Sequence, residues 1–270
     1  CSYCPFAKYW ESPAELLTDR TELTKFCDWV ASRRSDRIAV FFTPWGEALV
    51  REWYRAVLIA LSHLPNVRKV AVQTNLSCNL DWLTRAAIEK LGFWCTYHPS
   101  ETSRESFLRQ CERLGSLGVR YSVGCVGLQE NLSEIEKLRK ELPSGAYLWI
   151  NAYKSQPDYY TQAMVDELTR IDPHFLLNNT YHDSLGQSCR CGTSVIAVDG
   201  AGDIRRCHFV DDVVGNIYEP GFERALVESA CPNRTCGCHI GYVHLDKLRL
   251  YPLYGDGVLE RIPATIGTVN

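Results

Sequence analysis

Five short runs rich in β-branched and aromatic residues recur over the first 170 positions of this 270-residue chain, with starts about 25 to 30 residues apart. They are RIAVFFT (37–43), RKVAVQTN (68–75), GFWCTYH (92–98), VRYSVGCVG (119–127) and AYLWINAY (146–153). Between them lie segments with apolar residues at helical spacing: EALVREWYRAVLIALSHL, NLDWLTRAAIEKL with Asn79 as its cap, SRESFLRQCERL, NLSEIEKLRKEL and PDYYTQAMVDELTRI. A strand and a helix in each repeat is a βα unit, and consecutive units imply parallel strands joined by right-handed crossovers. Five units are expected. In such a fold the functional residues gather at the carboxyl ends of the strands.

Composition narrows the function classes. The balance of 29 Lys+Arg against 32 Asp+Glu gives a net charge of −3, so no basic footprint for nucleic acid is visible. The longest apolar run, AVLIAL (56–61), is far short of a membrane span. No charged-then-apolar leader opens the chain, and the first residue is Cys1, so sequence upstream of it is expected. Thirteen cysteines fall into two groups. Cys27, Cys78, Cys95, Cys111 and Cys125 stand singly among apolar residues and are expected to be small core residues. The other eight cluster at the two ends: Cys1 and Cys4, then Cys189, Cys191, Cys207, Cys231, Cys236 and Cys238. A long chain with clustered cysteines favours metal binding in a reducing, cytoplasmic compartment.

After about position 172 the texture changes. TSVIAVDGAGDIRRCHF (193–209) predicts a β-hairpin turning at Asp-Gly-Ala-Gly. CPNRTCGCHIGY (231–242) follows, and the tail from Tyr251, spaced by Pro and Gly, carries no clear signal.

The opening stretch CSYCPFAK (1–8), ahead of a βα repeat, resembles the radical S-adenosylmethionine (SAM) superfamily, whose pattern is C-x3-C-x-Φ-C with Φ aromatic. Cys1 and Cys4 match the last two cysteines and Tyr3 the aromatic. The resemblance places the first cysteine four residues before Cys1, so the chain is expected to begin inside the motif. It implies three thiolates on a [4Fe-4S] cluster whose open iron chelates SAM. Half of a zinc knuckle would also use C-x2-C.

TPWGEAL (43–49) resembles the family's Gly-Gly-Glu turn after the first visible strand, with Gly46 and Glu47 matching and Trp45 replacing the first Gly. The resemblance assigns Gly46 and Glu47 to the SAM amino group; a plain helix start with Glu47 at the dipole is the alternative. It likewise implies SAM contacts from Asn75 in QTN, from Thr96 and His98 in TYHP, and from Asn151. Glu130 would act through VGCVGLQE (123–130), where Gly127 and Glu130 fit and Val123 replaces a Gly. His98 could equally be a loop residue before Pro99, and Gln73, Asn75 and Asn151 could serve only loop hydrogen bonds.

The C-terminal cysteines read C-x10-G-x4-C from Cys191 through Gly202 to Cys207, or C-x12-G-x4-C from Cys189. With VVGNIYE (213–219), this resembles the SPASM and twitch extensions of radical SAM enzymes, where a hairpin presents cysteines to an auxiliary [4Fe-4S] cluster. The six cysteines Cys189, Cys191, Cys207, Cys231, Cys236 and Cys238 are its candidate ligands, with His208 or His239 needed only for a second cluster. Structural zinc would close a small fold equally well.

The resemblance therefore implies an α/β fold: a partial (β/α)6 TIM-type barrel lacking its first strand, plus a small cysteine-rich β-hairpin and helix extension. The expected boundaries are 1–180 for the barrel, 181–250 for the auxiliary domain and 251–270 for the tail. The implied activity is reductive cleavage of SAM to a 5′-deoxyadenosyl radical. That radical would abstract hydrogen from a peptide or small-molecule substrate, with electrons from a flavodoxin or ferredoxin. No membrane partner is expected, and the acidic balance argues against nucleic acid. A non-enzymatic iron–sulfur or zinc protein and an RNA-modifying radical enzyme are the alternatives.

Overall fold

The computed structural model describes residues 10–265. Its centre is a five-stranded parallel sheet in the order β1-β2-β3-β4-β5, formed by β1 (Ile38–Phe42), β2 (Val67–Thr74), β3 (Leu91–Thr96), β4 (Arg120–Val126) and β5 (Tyr147–Asn151). The strand order follows the chain order, as successive right-handed βα units require. β1 and β5 are the two edges of the sheet.

Alternation along the strands separates two faces. Val70, Val72, Phe93, Cys95, Val123, Cys125, Leu148 and Ile150 belong to the main core. The helical layer in that core includes Leu58 and Leu61 of α2 (Glu52–His63), Phe107 and Leu114 of α3 (Arg104–Ser116), and Ile135 and Leu138 of α4 (Leu132–Glu141). Leu58, Leu61, Leu114 and Leu138 are fully buried, each contributing roughly 1.5–3 kcal/mol relative to exposure. Of the five scattered cysteines, Cys78, Cys95, Cys111 and Cys125 are buried and Cys27 half-buried. Burial pushes the Cys95 thiol well above its ordinary range and that of Cys111 up to about 12, as suits small apolar residues.

α1 (Pro13–Ser32) starts on a capping box, with Ser12 and Glu15 each bonding the other's backbone N–H and Pro13 in the first turn. Asp19 fastens it to α2 by accepting from Trp53 Nε1 at 2.7 Å and Tyr54 Oη at 2.9 Å.

The chain departs from the predicted helices in three places, and in one of them the helix expected from Pro157 begins only at Gln162, capped by Thr161. The segment from Asn79 forms only short 3₁₀ turns, Asp81–Arg85 and Ile88–Lys90. Leu76, Cys78, Leu80 and Trp82 are all buried, an every-second-residue pattern that a helix cannot present to one face. Asn79 Oδ1 accepts from Asp81 N at 2.7 Å, closing an Asx turn rather than capping a helix. The helix expected from position 47 begins only at Glu52, because Ala48–Val50 is a 3₁₀ turn and Arg51 is extended.

The opposite, concave face carries a second cluster. Trp94, Tyr147 and Trp149 are buried there, with Phe41 and Ile240 packed against them. The Trp94 and Trp149 rings meet edge to face at 5.1 Å. Trp149 lies directly on β4: a Cβ on Gly124 would sit 2.1 Å from the indole. Gly124→Ala should therefore lower the denaturant midpoint by an amount equivalent to roughly 2–3 kcal/mol, since the indole has no room to retreat.

The concave face is covered by the end of the chain, the region whose sequence gave no signal. Glu260 is fully buried over Gly92 and pairs with Lys69 Nζ at 2.6 Å and Arg120 Nη2 at 3.2 Å. Its backbone carbonyl accepts from Ser122 Oγ at 2.5 Å. Tyr242, Val243, Leu245, Leu250 and Tyr254 form one apolar cluster running across position 251.

The predicted hairpin is present. Ala197–Val198 pairs antiparallel with Asp203–Arg205, which pairs in turn with Val213–Asn216. Gly202 turns at φ +93, and the Tyr218 ring lies 2.4 Å from where its Cβ would be. Asn216 binds the turn by donating to Ala201 O and Asp203 Oδ1. The Gly-Asn-Ile resemblance thus falls on residues that hold the hairpin together. No helix among the described residues is long and apolar enough to cross a membrane.

Candidate functional site

The carboxyl ends of the five strands form one rim, with neighbouring ends about 4.8 Å apart. Glu47 organises its first two positions. After β1 the chain turns through Gly46 at φ +76 and brings the Glu47 carboxylate into a half-buried slot. Oε1 accepts from Leu49 N at 3.0 Å and Thr74 Oγ1 at 2.9 Å, and Oε2 accepts from Asn75 N at 2.5 Å. Burial raises the carboxyl above its usual range, and the three donors oppose that shift. A carboxylate offers about four acceptor directions. Three serve the loop, so Glu47 is a brace between β1 and β2 with one direction left for a ligand.

Asn75 stands beside it, its Oδ1 accepting from Ser77 N at 2.9 Å in a tight Asx turn. The following residue, Leu76, takes φ +59, and its N–H donates to Thr74 Oγ1. Thr96 ends β3 opposite Gly124, and the chain continues through Tyr97 N to Gly124 O at 2.8 Å. His98 is half-buried on that loop, and burial lowers its pKa, which favours the neutral ring. Tyr97 Oη and Arg104 Nη1 both donate to Glu134 Oε1, fixing the loop to α4.

At β4 and β5 the rim is tied by backbone. Gly127 N donates to Asn151 O at 2.9 Å, and Tyr160 Oη donates to Gly127 O at 2.7 Å. Glu130 lies exposed in the 3₁₀ turn Gln129–Asn131 beyond this rim. Gly46, Glu47, Asn75, Thr96, His98 and Asn151 thus stand at the carboxyl ends of the strands, and Glu130 is exposed in the turn that follows β4. Cys1, Tyr3 and Cys4 lie outside the described residues.

Lys154, just past β5, reaches across to the extension. It donates to Asn178 O at 2.5 Å and to Gly237 O, and burial lowers its pKa. The segment 237–240 is thereby pinned to the rim and continues onto the concave face, where His239 and Ile240 meet Trp94. This contact was not legible in the motifs.

The C-terminal cysteines divide. The Cys191 thiol lies against both Cys189 and Cys207; contact with it lowers the pKa of those two, and it is itself raised. Cys207 Sγ accepts from Phe209 N at 3.3 Å. Cys236 lies near this group: a Cβ on Gly241 would meet its sulfur at 2.7 Å and the Phe209 ring at 3.0 Å. Cys238 heads the turn at His239–Tyr242, among the charges of Lys154 and Arg261. The His239 ring is fully buried against Trp94, on the sheet side. The donors have the soft chemistry of an iron–sulfur or zinc site. Among the described residues, however, no three His, Cys, Asp or Glu side chains are arranged to hold a metal ion.

No family model matches the chain, and no curated protein matches it. Solved structures do. Native anSMEcpe with bound AdoMet and Kp18Cys peptide aligns at 14% identity with a TM-score of 0.51, over 84% of this chain and 78% of that one. The same protein with bound AdoMet alone gives 14% identity and a TM-score of 0.51, over 84% of this chain and 79% of that one. That protein is an anaerobic sulfatase-maturating radical SAM enzyme. The described chain shares its overall fold with that protein.

Proposed function

We propose that this protein is a radical SAM enzyme that binds SAM along the rim from Gly46 to Asn151 and acts on a peptide or small-molecule substrate. The observation that carries the reading is the rim itself. Polar groups stand at the ends of consecutive parallel strands, braced by Glu47, on a fold shared with an AdoMet-bound enzyme.

When bound, a [4Fe-4S] cluster would supply the electron that cleaves SAM to methionine and a 5′-deoxyadenosyl radical. Cys1 and Cys4 are its proposed ligands within this chain. Gly46, in the left-handed region, turns the loop so that Glu47 and the neighbouring backbone face the rim. Glu47 holds the Asn75 N–H and Thr74 hydroxyl in place, and its remaining acceptor direction suits the SAM amino group. Neutral His98 and the Thr96 and Asn151 side chains offer polar contacts to the nucleoside. The aromatic floor of Phe41, Trp94 and Trp149 keeps water from the space beneath. The peptide in the anSMEcpe complex makes a peptide the first substrate class to test. A flavodoxin or ferredoxin is the proposed electron donor.

The adjacent thiols of Cys189, Cys191 and Cys207, with Cys236 close by, are proposed as the auxiliary metal site; Cys231 remains a candidate, and Cys238 stands apart. Because the described thiols do not enclose a metal position, no chemical step is assigned to them. The same thiols favour the second reading, a non-enzymatic iron–sulfur or zinc protein.

Low-temperature electron paramagnetic resonance on the anaerobically reconstituted, reduced full-length protein separates the two. The enzyme reading expects a reduced [4Fe-4S] signal that changes shape when SAM is added. It also expects about eight irons per chain, falling to about four in Cys191→Ala/Cys207→Ala. Stoichiometric zinc, or an iron signal indifferent to SAM, supports the non-enzymatic reading.

A further inference from the structure

Six buried polar atoms in the concave face have no hydrogen-bond partner: Arg261 Nε and Nη1, both ring nitrogens of His239, Trp94 Nε1 and the Tyr254 hydroxyl. Their residues are 1%, 2%, 4% and 1% exposed in that order. They form one cluster. The His239 ring is 5.3 Å from that of Trp94 and 4.9 Å from that of Tyr254. The Arg261 guanidinium lies 4.6 Å over Trp149 and 5.6 Å over Trp94. Arg261 holds this position with φ +53, a backbone region that non-glycine residues enter at a cost.

Donors outnumber acceptors in the cluster. The guanidinium and indole nitrogens only donate, while the Tyr254 hydroxyl and the His239 ring can each donate as well as accept. The nearest carboxylates are occupied. Asp172 accepts from Tyr147 Oη, Ile150 N and His174 N. Glu260 faces away, over Gly92, and pairs with Lys69. No ion pair reaches Arg261 among the described residues. A buried polar group without a partner is costly, and such groups in folded proteins usually mark an occupant. One water accepts only two hydrogen bonds, too few for these donors; an anion accepts from all of them.

We propose that Arg261, Trp94, His239 and Tyr254 form a binding site for a small anion, either a halide or the carboxylate of a small ligand, within the concave face of the sheet. The proposal does not depend on the radical SAM reading and is tested without a loaded enzyme.

Crystals of the full chain grown in sodium bromide should show an anomalous peak between the Arg261 guanidinium and the Trp94 indole nitrogen. A bromide peak elsewhere but not here, with no thermal shift from formate, overturns the proposal. In solution, bromide or formate exchanged for the bulky anion of MES at fixed ionic strength should raise the melting temperature by on the order of a few °C. A rise with one anion alone identifies which of the two the site accepts; no rise with either overturns the site. Arg261→Met should abolish the shift. Should that variant fail to fold, Trp94→Phe removes one donor and keeps the ring, and it should raise the half-saturating anion concentration roughly tenfold. An unchanged midpoint in Trp94→Phe contradicts the assignment.

Discussion

Glu260→Ala should destabilise the protein by about 3 kcal/mol, read as a lower urea midpoint at unchanged slope. Glu260 is fully buried, and its Oε1 receives Lys69 Nζ at 2.6 Å, with Lys69 itself 7% exposed on the side chain. Removing the carboxylate strands a buried ammonium, and that stranded charge dominates the cost. Asp256, whose Oδ2 lies 3.3 Å from Lys69 Nζ, keeps the loss at the low end of the range for broken buried pairs. The partner substitution sharpens the test. Lys69→Met combined with Glu260→Leu removes both charges and replaces them with apolar volume, which should recover most of the loss. A double variant as weak as the single one would show that Glu260 acts through shape over Gly92 rather than through charge.

Glu47→Ala should cut 5′-deoxyadenosine formation by roughly a hundredfold in the reconstituted enzyme while leaving the global unfolding transition nearly in place. The carboxylate is the only group joining the β1 and β2 ends by side-chain hydrogen bonds among the described residues, through Thr74 Oγ1 and Asn75 N. Without it the turn at Gly46 and the Asn75 loop lose their common anchor. Displacements of about 1 Å in positioning groups are enough for losses of this size. Glu47→Gln keeps the volume but turns an NH₂ toward one of three donors, so an intermediate loss is expected. Equal rates for Glu47→Ala and the parent enzyme would remove Glu47 from the site.

The sheet was legible because a βα repeat writes itself twice, as strand runs and as helical spacing between them. All five strands, the helices α3 and α4, and, with later starts than expected, α2 and the helix Gln162–Ile171 follow that pattern. The linker from Asn79 was misread because its apolar residues can be fitted to a helical period, while the fold buries Leu76, Cys78, Leu80 and Trp82 at every second position. The rim residues were visible as strand ends, yet Glu47 bracing Thr74 is a contact across 27 positions that no local pattern encodes. The burial of Glu260 over the sheet was hidden for the same reason. Glu260 meets Lys69 from 191 positions away, and a Pro- and Gly-spaced tail gives no sign of a buried ion pair. The clustering of cysteines showed that Cys189, Cys191 and Cys207 belong together. That Cys238 turns toward Lys154 and Arg261 depends on the rim contact at Gly237 and could not be counted out from spacing.

The most direct measurement is the yield of 5′-deoxyadenosine when the full-length protein is reconstituted anaerobically with iron and sulfide, then given dithionite and SAM. The account predicts 5′-deoxyadenosine and methionine in equal amounts, above the level in a reductant-free control, and strongly reduced in Glu47→Ala. A protein that binds its iron but releases no 5′-deoxyadenosine, or one that takes up only zinc, would contradict it.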